Sequence, residues 1–220
     1  MSNNSKNKKK SAVKTANQKK ITVISIAFGI LLAAIIFFVA YAAVNGKNKE
    51  ELSMNTVKVL VEMENGKDFT LELYPEYAPE TVENFVKLVN DGFYDGLTFH
   101  RIVDGFMAQG GDPEGTGMGG SKDKIKGEFS ANGFTQNTLS HTRGVISMAR
   151  SMDYNSASSQ FFICYDDASF LDGQYAAFGK VTDGMETVDA FLDVERTANS
   201  MGEVAVPKTP VVMKKLSVIE

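Results

Sequence analysis

Residues 21–44, ITVISIAFGILLAAIIFFVAYAAV, are 24 consecutive positions without a charged side chain. A bilayer core asks for about 20 apolar residues in a helix, so the run is long enough to span one. The flank decides the orientation: residues 1–20 carry seven lysines and no acid. Lysine-rich flanks stay in the cytoplasm, which sends the C-terminal bulk of the chain across the membrane. A secretory signal has the same polarity, and Ala40-Tyr41-Ala42 offers a small-residue cleavage site. The apolar run nevertheless exceeds the 7 to 15 residues usual for a signal core. An uncleaved signal anchor is therefore expected, with secretion after cleavage near Ala42 as the alternative. No cysteine near the end of the run could carry a lipid.

The rest of the chain is acidic. From Glu51 onward there are 26 acids against 14 bases, a balance that repels phosphate backbones and argues against nucleic acid as a partner. The chain has 220 residues, 43% of them apolar, enough for one ordinary domain with an appendage. Its single cysteine, Cys164, sits in the apolar run QFFIC and reads as a buried small side chain. An exported domain without an internal disulfide must be held by its core alone.

Residues 45–55 are polar and read as a tether, and the domain is expected over 56–220. Residues 57–63 and 69–74 alternate apolar and polar side chains about Asn65-Gly66, the pattern of a β-hairpin. Pro79 can open a helix, Val82, Phe85, Val86 and Val89 recur at helical spacing, and Gly92 can end it. Short apolar runs separated by glycines then mark strands near 97–102, 106–109, 144–149, 160–164, 176–181 and 211–219. A second helix over 185–194 aligns Met185, Val188, Phe191 and Leu192. The expected fold is mainly β: an eight-stranded antiparallel barrel capped by two helices, preceded by one transmembrane helix.

Several chemical readings fail on context. Residues 115–120, GTGMGG, match G-x-G-x-x-G, but no strand precedes them and no helix follows, so a surface loop is expected and not a dinucleotide site. His100 and His141 stand 41 positions apart without clustered ligands, so no metal site is expected. A Ser/His/Asp set can be assembled on paper, yet no nucleophile elbow G-x-S-x-G occurs. One stretch is left, residues 99–112, FHRIVDGFMAQGGD. Strict alternation puts Phe99 and Arg101 on one face of a strand and His100 and Ile102 on the other. Met107 and Gln109 share a face of the next strand, so an arginine, a methionine and an amide converge on one patch.

FHRIVDGFMAQGGD resembles the signature segment of the cyclophilins. GVISMAR (144–150), SSQFFIC (158–164) and FLDGQYAAFGKV (170–181) resemble three further cyclophilin blocks in the same order, and the likeness covers about residues 56–220. It implies an eight-stranded barrel closed by two helices and a peptidyl-prolyl cis-trans isomerase that needs no cofactor. It further implies that Arg101 is the catalytic donor, with Phe106, Met107, Phe162 and Leu171 forming the slot for the proline ring. Gln109 would bind the substrate backbone, and His100 would line the groove. Ala149 and Arg150 would border the residue before proline.

Two positions depart from the family. Phe170 stands where the best-known members have tryptophan, and Tyr175 where they have histidine, both beside the pocket. The tryptophan is associated with tight cyclosporin binding, so the resemblance implies that cyclosporin binds weakly here. The clients implied are proline-containing exported polypeptides. A module that only binds proline segments, with incidental turnover, is the competing reading, because it needs the same pocket.

Overall fold

A computed structural model describes residues 56–219. The expected membrane segment at 21–44, the lysine-rich stretch before it and the tether at 45–55 lie outside the described residues. Among the described residues no helix is long and apolar enough to cross a membrane.

Strands β1 (Val57–Met63) and β2 (Asp68–Leu73) form the opening hairpin, in register from Val57↔Leu73 to Glu62↔Asp68. Gly66 supplies the reversal at φ 81°, a value that costs other residues strain. Helix α1 (Pro79–Asn90) begins on its proline and buries Val82, Phe85, Leu88 and Val89. The Phe85 ring sits 5.0 Å from Tyr94, 5.5 Å from Phe161 and 5.2 Å from Phe178, so the helix is anchored by an aromatic cluster.

The remaining strands are β3 (Thr98–Val103), β4 (Met107–Asp112), β5 (Val145–Met148), β6 (Phe161–Cys164), β7 (Ala177–Asp183), β8 (Arg196–Ala198), β9 (Val204–Pro207) and β10 (Val211–Ile219). Eight of the ten close an antiparallel barrel in the order β1-β10-β3-β4-β6-β5-β7-β2. The eight lie where the hydrophobic pattern placed them, with ends moved by a few residues.

Three features differ from the pattern. First, the expected helix over 185–194 is a short α-helix, α2 (Met185–Asp189), continued by a 3-10 turn (Ala190–Asp193). Met185, Val188 and Phe191 share a face in either kind of helix, because i+3 neighbours are common to both, so periodicity does not mark where one gives way to the other. Second, simple alternation fails in β3. Phe99 pairs with Gly110 and Arg101 with Gln109, so His100 is an extra residue, a bulge. Phe99 and Ile102 both enter the barrel core, and Arg101 is turned to the outside. Third, β8 and β9 form a separate two-stranded ribbon beside β3, which no apolar run announced.

The barrel wall has two apolar sides. Ala108, Ile146, Phe161 and Ile163 join the main core. Met107, Phe162 and Cys164, the alternate residues of β4 and β6, pack outside it with Ala168 and Leu171 as a second, smaller cluster. That outer cluster carries the site.

Candidate active site

Arg101 is half-buried above the outer cluster. Its Nη1 lies 3.3 Å from Gln109 Oε1 and 3.8 Å from Met107 Sδ, and its Cζ is 5.9 Å from the centre of the Phe106 ring. The expected convergence of Arg101, Met107 and Gln109 is present, produced by the His100 bulge. Phe106, Met107, Phe162 and Leu171 lie together in the outer cluster, joined by Ala149 and Tyr175. Phe170 stands at its edge, 64% exposed, with its ring 5.6 Å from Phe106.

An amide relay runs from the guanidinium. Gln109 donates to Gln160 Oε1 at 2.8 Å, and Gln160 donates to the Gly119 carbonyl at 2.7 Å. Beside it opens a cavity of about 460 Å³ walled by Gly119, Lys124, Ala149, Arg150, Ser158 and Gln160. Arg150 borders this space but its head is tied down. It donates to the Gln174 and Ser151 carbonyls and lies over Tyr175, Tyr154 and Phe129, with Cζ 4.5, 4.8 and 5.2 Å from the three rings. Its work is to clasp the loops around the cavity.

His100 is placed differently from Arg101. Its ring lies against Gly117, and neither buried ring nitrogen has a hydrogen-bond partner among the described residues. Burial lowers its pKa, with Asp112 opposing that shift. The glycine-rich loop has an internal anion as its organiser. The N–H groups of Glu114, Thr116, Gly117 and Gly119 all donate to the Asp112 carboxylate, at 2.6 to 3.3 Å. Burial pushes the Asp112 pKa up, but donation from the Glu114, Gly117 and Gly119 N–H groups outweighs it and the net shift is downward.

Under the slot lies a Ser/His/Asp array that the sequence left unassembled. His141 Nδ1 is 2.8 Å from Asp172 Oδ1, and its Nε2 is 2.9 Å from Ser147 Oγ. His141 and Ser147 are wholly buried, so no substrate carbonyl reaches the hydroxyl. The imidazole instead stacks on Phe162, ring centres 6.0 Å apart. Cys164 is likewise inert, its thiol pushed up to about 12 by burial. The other unforeseen neighbour is Glu203, which forms a two-point ion pair with Arg101 across 102 positions of sequence. Only the fold could reveal that contact.

The barrel with its outer groove is the cyclophilin architecture. A cyclophilin-type isomerase from Cryptosporidium parvum superposes with a TM-score of 0.65 at 30% identity, over 76% of this chain and 99% of that one. The same protein is also solved in the presence of the dipeptide Ala-Pro, at a TM-score of 0.64. Peptidyl-prolyl cis-trans isomerase B of Bacillus subtilis is 49% identical over 56% of this chain and 82% of its own length. An isomerase of Helicobacter pylori J99 is 45% identical over 61% and 78%. The family model described as "Cyclophilin type peptidyl-prolyl cis-trans isomerase/CLD" matches residues 58–218. The chain belongs to this family, the cyclophilin-type peptidyl-prolyl cis-trans isomerases.

Proposed function

We propose that Arg101 is the catalytic clamp of an isomerase that is held at the outer face of the cytoplasmic membrane and acts on exported polypeptides. Rotation about an X-Pro bond breaks no covalent bond. Its barrier of about 18–20 kcal/mol is lost amide resonance. At the twisted state the proline nitrogen regains its lone pair and can accept a hydrogen bond, which it cannot do while planar. A fixed donor aimed there stabilises the twisted state more than either planar one. Arginine suits the task, being a rigid planar donor that is never a proton acceptor.

The observation that carries the reading is the seat of Nη1, over an apolar floor and beside Gln109. Phe106, Met107, Phe162 and Leu171 would take the proline ring, and Gln109 would hold the substrate backbone. The cavity beyond Gln109, bordered by Ala149 and Arg150, would take the residues before proline. Phe170 and Tyr175 rim the slot, and Phe170 would leave cyclosporin weakly bound. The apolar run at 21–44 and the seven lysines before it support the anchored topology.

In the full chain, solubilised in mild detergent, Arg101→Ala should lower kcat/KM on a short X-Pro peptide by about 10²–10³-fold, the cost of removing one preorganised donor. Full activity in that variant would reject the clamp.

A further inference from the structure

We infer that Glu203, on the ribbon outside the barrel, is a positioning residue for the Arg101 guanidinium, so that the β8–β9 ribbon belongs to the catalytic apparatus. The inference rests on Arg101 acting as the clamp.

Arg101 Nε and Nη2 donate to Glu203 Oε2 and Oε1 at 2.7 and 2.8 Å. Two parallel bonds between a guanidinium and a carboxylate fix the plane of the group as well as its place. They also settle which edge is free. Nε and Nη2 are committed to the ribbon, and Nη1 is left facing Gln109 and Met107 at the slot. Without the carboxylate a long arginine stem would sample many rotamers, and a donor must sit where the twisted nitrogen arrives.

Glu203 is itself held rigid. Its Oε2 accepts from Asn199 Nδ2 at 3.1 Å, and its own N–H donates to Asn199 Oδ1 at 3.0 Å. Its carbonyl accepts from Asn199 N–H at 2.8 Å, and Gly202 turns the ribbon at φ 83°. The ribbon tip is thus a small frame built around one carboxylate. Stability does not account for it: the two side chains are 30% and 31% exposed, and ion pairs that wet add little to folding. Arg101 in turn holds the carboxyl of Glu203 below its usual range.

The test uses the full chain in detergent with an X-Pro peptide as probe. Glu203→Ala should lower kcat/KM about tenfold, mainly through kcat, because misplacing a catalytic group costs rate more than ground-state binding. Glu203→Gln, nearly isosteric and keeping one acceptor oxygen, should lose less. The Arg101 Nε–H resonance should shift and broaden in the alanine variant. In an Arg101→Ala background the same change should cost nothing further, since the two residues act as a unit. Unchanged or raised activity in Glu203→Ala, with Arg101→Ala still damaging, removes Glu203 from the mechanism while the clamp stands. So does a loss that persists undiminished in the Arg101→Ala background, which would mark a purely structural role. Full activity in Arg101→Ala defeats the clamp and this inference together.

Discussion

His141 shows how a buried polar group can serve a site from beneath, through the Phe162 ring it stacks on. Burial pulls its pKa below the ordinary 6.5, with the Asp172 contact opposing. A histidine protonated less readily in the folded chain than in the unfolded one confers stability that is complete above about pH 6.5. That stability drains away as pH falls toward the folded value. Asp172 acts in the same sense at lower pH: burial raises its pKa, but donation from Ser140 and His141 outweighs it and the net shift is downward. The unfolding temperature should therefore decline as pH drops below about 6.5. An NMR titration should place the His141 imidazole below 6.5, and titration at or above that value would reject the account. Protonation would also disturb the stack under Phe162, so the slot should loosen in the same range.

At the scale of elements, helix α1 has a cap that arrives from far away. Its N-cap position is Ala78, whose methyl side chain cannot accept a hydrogen bond. The buried carboxylate of Glu128 takes over, accepting from the Glu80 N–H at 3.0 Å, the Thr81 N–H at 2.8 Å and the Thr81 hydroxyl at 2.7 Å. Glu128→Ala should cost about 2–4 kcal/mol, since it strands the two buried donors of Thr81 and the half-buried Glu80 N–H at the helix end. Chemical denaturation would measure it, and Glu128→Gln should cost less. The same distinction explains what the sequence could display. The hairpin about Asn65-Gly66, helix α1 and the eight barrel strands follow local periodicity, so they can be read from neighbouring residues. The slot residues could be named only because four blocks in order resemble a family. The Glu128 cap, the Glu203 pair and the His141 array join side chains far apart in sequence, where no local pattern exists. The β3 bulge is intermediate: Arg101, Met107 and Gln109 do meet, but through the extra residue His100 and not through plain alternation.

For the molecule as a whole, the proposed topology makes a direct prediction. Protease added to intact cells should remove the domain from residue 56 onward and leave a short lysine-rich fragment behind, whereas protection of the domain would reject the outward orientation. In that proposed topology an acidic domain tethered at the surface would meet chains as they emerge, extended and with unpaired backbone groups. Such chains add readily to any exposed strand edge. The barrel ring is closed on itself, β1 against β10 and β2 against β7, so its wall has no edge on which a client could template. An enzyme so placed would offer such neighbours its groove and not the wall of its barrel, and would let them go.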